Sequence, residues 1–235
     1  MAKHWKKVVV VLLTLVVLVL AASFIYAKVI NKADDQFDAN DVKDRLTTTT
    51  ASDGATGTST ASGVEGAWVI SDGSEVGYRV DESINGFDTT ANGRTTEVAG
   101  EITIEGARVT AGEFSVDMTT FSSDEGRRDS AFNGRIMQVS TFRTATIVLT
   151  ELIEFGEVPE DGTTITATAT GDLTLHGVTK SVTFLVDATF QAGRIGVLGQ
   201  IPVVFADYNI SNPSNGTIRT EDNGLLEFVL IFDRA

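Results

Sequence analysis

Residues 171–184 read GDLTLHGVTKSVTF, from Gly171 to Phe184. Leu173 and Leu175 alternate with polar neighbours, the pair His176-Gly177 intervenes, and Val182, Phe184 and Val186 resume the alternation. A period of two with one wet face is the pattern of an antiparallel strand, and an X-Gly pair suits a tight hairpin whose central residues need positive φ. The stretch therefore reads as strand, turn, strand.

The same pattern extends outward in both directions. Val76, Tyr78 and Val80 alternate with Gly77 and Arg79, Ile102 and Ile104 with Thr103, and Phe114, Val116 and Met118 with Ser115 and Asp117. Downstream, Ile195, Val197, Ile201, Val203 and Phe205 continue it, and Leu226, Phe228, Leu230 and Phe232 close it. Asn85-Gly86, Asn92-Gly93, Glu105-Gly106, Asp161-Gly162, Ala192-Gly193 and Asn223-Gly224 supply turn chemistry between the runs. One segment, residues 123–139, departs from alternation; Phe132, Ile136 and Val139 fall at helical spacing there, which predicts a crossover with a short helix. Many short strands with glycine turns and 3 prolines mean a sandwich or a closed barrel. Small residues on inward positions (Ala167, Ala169, Gly171, Gly199) favour a hollow barrel of about eight strands that can hold a ligand.

The N-terminal quarter differs. Val8 to Ala27 carries no charge, and twenty residues of helix at about 1.5 Å each cross a hydrocarbon core of about 30 Å. Lys3, Lys6 and Lys7 precede the run, and Asp34, Asp35, Asp38, Asp41 and Asp44 follow it, so the positive-inside bias leaves residues 1–7 in the cytoplasm and the rest outside. The alternative is a signal peptide cleaved near Ala21-Ala22-Ser23, giving a secreted protein; the run, however, outlasts the usual apolar region of about 7–15 residues. Residues 28–63 pass from charged to small and polar, and are expected to form a flexible extracytoplasmic spacer. Phe37, Val42 and Leu46 within it could form a short amphipathic segment resting on the membrane surface, with a solvated stalk as the preferred reading. The folded domain is placed at 64–235.

Composition removes several function classes. The chain has 235 residues, no Cys and two His, which excludes disulfides, thiolate metal sites and Cys nucleophiles, and argues against a His-rich metal site. The net charge of -14 repels phosphate backbones, so nucleic acid is not expected as a partner. Nothing in the spacing of the 32 carboxylates singles out a catalytic pair, and the chain is not expected to be an enzyme.

GDLTLHGVTKSVTF, together with SVDMTTFSSDEGRRDSAFNGRIM (Ser115 to Met137) and IPVVFADYNISNPSNGTIRTEDNGLLEFVLIF (Ile201 to Phe232), resembles the YceI-like family over about Ala67 to Phe232. The resemblance implies an extended, lipocalin-like antiparallel barrel, extracytoplasmic and without catalytic activity, whose interior holds an isoprenoid or other long-chain lipid such as a polyprenyl quinone. No other cofactor is implied, and protein partners are left open. Arg143 and Ile147 stand in Thr141 to Leu149, where the family usually has Pro and an aromatic; Asn85 to Arg94 lack its usual aromatic-Gly pattern; the N-terminal apolar run is also atypical of its soluble members.

The inward positions nominate Val76, Tyr78, Phe114, Val116, Ile147, Leu149, Leu173, Leu175, Phe184, Val186, Val203 and Phe205 as cavity-lining residues. His176 reads as a turn residue tolerant of unusual φ, with a polar group at the pocket rim as the alternative. Arg127, Arg128 and Asp129 read as ion pairs pinning the crossover to the barrel, or as partners of an anionic head group. The competing function is a filled β-sandwich on a stalk, acting as an interaction module of the cell envelope without a lipid.

Overall fold

The computed structural model describes residues 2–26, 33–47 and 63–235. An apolar helix, α1 (Ala2–Ile25), leads the chain, and Trp5–Ile25 is long and apolar enough to cross a membrane. A short helix, α2 (Ala39–Thr47), follows, and then twelve strands. These are β1 (Gly66–Ile70), β2 (Glu75–Ile84), β3 (Phe87–Thr95), β4 (Val98–Glu105), β5 (Arg108–Asp117), β6 (Thr144–Leu149), β7 (Ile153–Glu154), β8 (Thr164–Leu175), β9 (Val178–Gln191), β10 (Arg194–Val204), β11 (Ile218–Thr220) and β12 (Asn223–Arg234). The crossover between β5 and β6 carries helix α3 (Gly126–Ala131), which widens into a π-turn over Phe132–Ile136, as the spacing there predicted.

Eight strands form a ring in the order β1-β4-β5-β6-β8-β9-β10-β12, closed by β12 pairing back to β1 through Trp68 opposite Arg234 and Ile70 opposite Phe232. All pairings are antiparallel. The single closed sheet rules out the two-sheet sandwich and removes the edges that a sandwich would expose. β12 is long enough to serve two neighbours. Its C-terminal end pairs with β1, while Leu225–Val229 pairs with β2, so the β2–β3 hairpin extends the wall beyond the ring, with β11 pairing to Glu82–Ile84 of β2 on the edge opposite β3.

The expected turns hold at Asn85-Gly86, His176-Gly177 and Ala192-Gly193, where both residues of each pair have positive φ (50° at His176, 75° at Gly177). Two others are corrected. Asn92-Gly93 lies inside β3, opposite Arg79 and Tyr78 of β2, and glycine stands there because a Cβ would come within 2.6 Å of Tyr78 Cε1; Asn223-Gly224 opens β12 rather than preceding it. Of the small inward residues, Ala167 and Ala169 do leave space, but Gly199 is covered by the Phe228 ring and Gly171 lies against the Val148 carbonyl.

Residues 33–47 do not form a solvated spacer. Phe37, Val42 and Leu46 are buried against Val229, Ile231 and Leu198 on the outer wall of the barrel. α2 sits there because Gly196 leaves room: a Cβ on it would come within 2.5 Å of Val42 Cγ1. Its start is fixed by a reciprocal cap, Asp38 Oδ1 accepting from the Asn40 and Asp41 amides at 2.7 and 3.2 Å while Asp41 Oδ2 accepts from the Asp38 amide at 2.7 Å. The remainder of the expected spacer, residues 28–32 and 48–62, lies outside the described residues.

Candidate functional site

The interior of the ring is a tunnel of about 180 Å³; among the described residues its lining contains no charged side chain, and Thr146 and Thr189 are the only ones with a hydroxyl. Ile165, Ala167, Ala169, Leu173 and Leu175 face it along β8 because alternate residues of a strand share one face. From Ile165 to Leu175 the strand rises about 33 Å at 3.3 Å per residue, and a barrel tilt of about 40° leaves roughly 25 Å along the axis. One end is floored by a cluster of Val64, Trp68, Ile102, Ile104, Ile195, Leu230 and Phe232. Trp68 is fully buried there, its Nε1 donating to the Val64 carbonyl at 2.8 Å and its ring meeting Phe190 edge-on.

At the other end a second space of about 430 Å³, the vestibule, lies under the β2–β3 hairpin and the crossover. Phe121, Leu175 and Leu226 line both spaces and so form the collar between them. Tyr78 stacks on Phe132 with centroids 4.8 Å apart and an 8° interplanar angle, and Phe121 leans on both rings. Burial raises the Tyr78 phenol well above its ordinary pKa, so the hydroxyl stays protonated. Unlike the tunnel, the vestibule has polar lips: Arg79, Arg127, Arg128 and Arg135 line it with Glu82 and Glu125.

All twelve nominated residues line one of these two spaces. Val76, Phe114, Val116, Ile147, Leu149, Leu173, Leu175, Phe184 and Val186 line the tunnel; Tyr78, Val203 and Phe205 line the vestibule, which Leu175 also reaches. The tunnel also takes Ile102, Ile104, Ile195, Val197, Ile201, Leu226, Phe228, Leu230 and Phe232. These belong to the same alternating runs, and their signal was present in the sequence. Tyr26 and Arg135 in the vestibule, and Phe155 and Pro159 in the tunnel, carry no such signal, because their positions follow from long-range packing.

His176 stands in the left-handed region, its Nδ1 3.1 Å from the Tyr208 carbonyl and its ring against Phe142; it does not line either space. Arg128 pairs with Asp124 one turn earlier, and Asp129 Oδ1 accepts from the Ser123 amide and hydroxyl at 2.9 and 2.6 Å, so these bonds shape the crossover itself. The crossover is held to the barrel by the Tyr78–Phe132 stack, by a backbone bridge between Ser122 and Arg94 of β3, and by Arg135 donating to the Pro213 carbonyl at 3.2 Å.

A family model described as the YceI-like domain matches residues 68–232. The chain is 28% identical over 134 residues to a UPF0312 protein of Vibrio vulnificus, covering 53% of this chain and 66% of that protein, so it spans slightly less than two thirds of the relative. A polyisoprenoid binding domain from Saccharophagus degradans, implicated in plant cell wall breakdown, superposes with a TM-score of 0.56 at 15% identity over 73% of this chain and 100% of that one. Burkholderia cenocepacia BcnA superposes with a TM-score of 0.53 at 18% identity, over 67% and 95% respectively. At these identities the two structures speak for the fold.

Proposed function

Since the chain belongs to the YceI-like family, we propose that it is a membrane-anchored, extracytoplasmic binding protein that holds an isoprenoid or other long-chain lipid in the barrel. The observation that carries this reading is the tunnel: long, narrow and lined without a charge. Burial alone can drive binding there. At about 0.8 kcal/mol per CH2, a dozen buried methylenes contribute about 10 kcal/mol before ordering costs, so a tight complex needs no polar anchor. The Saccharophagus degradans domain, named for polyisoprenoid binding, lends support as a protein of the same fold.

Anchoring is supported by α1, whose apolar side chains are exposed along its length (Leu13 61%, Leu18 63%) and need a lipid environment to cover them. With Lys6 and Lys7 at its start, α1 is read with its N-terminal end in the cytoplasm and the barrel on the outer side. In this reading the protein's role is to bind a chain, held by apolar contacts along the tunnel.

The test is lipid extraction from the full chain purified from its membrane in mild detergent, followed by mass spectrometry. One isoprenoid or other long-chain lipid per chain is the expected result. A protein that arrives empty, and takes up no polyprenyl quinone from vesicles, overturns the proposal.

A further inference from the structure

The end of α1 touches the vestibule. Ser23 Oγ accepts from Asn85 Nδ2 at 3.0 Å at the tip of the β2–β3 hairpin, Phe24 meets Phe87 edge-on with centroids 5.5 Å apart, and Tyr26 donates to Glu125 Oε2 at 3.3 Å on the crossover. Tyr26 is itself part of the vestibule wall. Residues 33–47 then run along the hairpin away from that tip. Asp34 meets Asn92 and Arg79, Phe37 meets Arg94 and Glu227, and Arg45 reaches Glu75 and the Gly73 carbonyl at the far end of β2. From Ile84 to Glu75 that path measures about 30 Å at 3.3 Å per residue.

The order of these contacts orients the barrel. The apolar part of α1 ends at Ile25, so Ser23, Phe24 and Tyr26 lie at the level where the helix leaves the hydrocarbon, and whatever they touch lies at the bilayer interface. What they touch is the hairpin tip and the crossover, the two lips of the vestibule. Residues 33–47, the strap, carry the chain to Gly73 at the opposite end of β2. We propose that the barrel stands mouth-down on the outer face of the membrane, with the end of its own anchor helix as one wall of the vestibule, so that a lipid leaves the bilayer along α1 and enters the tunnel without crossing water. The purpose of this arrangement rests on the lipid-binding reading; the orientation itself can be tested with no lipid in the tunnel.

The chain has no native Cys, which allows site-directed crosslinking of the full protein in vesicles of phosphatidylethanolamine and phosphatidylglycerol. Phe24→Cys with Phe87→Cys is preferred over a pair at Asn85, whose φ of 51° a Cys would strain. A short bismaleimide should join this pair at least about tenfold faster than Phe24→Cys with Asp72→Cys, in the exposed turn at the other end of β2, because only the first pair is held at high effective concentration. A bimane on Phe87→Cys should be quenched by nitroxide-labelled lipids, and one on Asp72→Cys should not. Equal crosslinking of the two pairs, or equal quenching, overturns the orientation. If the pair crosslinks in protein that carries and takes up no lipid, the orientation stands and the binding function falls. If lipid is bound but the pair fails to crosslink, the orientation falls alone.

Discussion

The molecule buries two regions in opposite ways. The tunnel is enclosed by apolar side chains that leave space and make no specific partner bonds. The patch under the strap is filled around Glu227, which is fully buried; Arg94 lies 3.1 Å and Arg79 3.6 Å from its Oε1, and the Phe37 amide donates to Oε2 at 3.3 Å. Arg94 also lies over the Phe37 ring, 3.9 Å from its centroid. Apolar surface can stay half-filled at modest cost when a flexible chain is available to fill it, whereas a buried carboxylate must have its partners in place. The tunnel is thus free to accept a guest, and the strap is committed to one geometry.

The sharpest way to break this contrast is Glu227→Ala. It leaves two guanidinium groups facing an uncompensated pocket, and should cost about 3–5 kcal/mol in urea denaturation, releasing the strap as well. Replacing Glu227 with Leu and Arg94 with Met together should recover most of that loss. Gly196→Val attacks the same interface from the apolar side by driving a methyl into Val42, and about 1–3 kcal/mol of destabilisation is expected, with hydrogen exchange rising in residues 39–47 while the ring stays protected. In the tunnel the outcome should differ. Ala167→Phe fills space that is already empty, so stability should change by less than about 1.5 kcal/mol while extractable lipid is lost. An equal stability penalty at Ala167 and Gly196 would mean the tunnel is as tightly specified as the strap.

The smallest effect is on pH. Asp38 is held below the ordinary carboxylate range by the Asn40 and Asp41 amides that it caps. A lowered folded-state pKa means that the contribution is complete above the unfolded value near 3.8 and is lost as pH falls through the folded value. Exchange protection of α2, corrected for intrinsic rates, should therefore weaken below about pH 4. Asp117, lowered by the Thr119 hydroxyl and amide and then by Arg143, should loosen the start of the crossover in the same window. Protection that is unchanged down to pH 2.5 in α2 would show that the cap contributes nothing to the strap.

Particular residues show what was legible. Leu173 and Leu175, or Phe184 and Val186, declare their face by alternation with Asp172 and Thr174 or by the flanking Thr183 and Asp187, and that is enough to place them on the inside of any antiparallel sheet. His176-Gly177 declares its turn by a residue pair that only a few backbone conformations accept. Asn92-Gly93 carries the same local signature and yet lies within a strand, paired with Arg79 and Tyr78, where the missing side chain makes room for the Tyr78 ring. Phe37, Val42 and Leu46 show an amphipathic pattern but not its partner, and their polar surroundings read as a stalk.

By itself, then, the sequence determined an antiparallel all-β domain, its hairpins, its inward faces and an apolar N-terminal helix, because each of these follows from neighbours within a few positions along the chain. Only the tertiary structure decided that the sheet closes through β1 and β12, that the segment after the anchor lies along the wall, and that the tip of the anchor meets the vestibule. Those outcomes depend on pairs such as Phe37 with Glu227, 190 positions apart, or Ser23 with Asn85, 62 apart. A carboxylate on β12 looks the same in the sequence whether it faces water or two arginines, and only the folded chain brings the arginines to it.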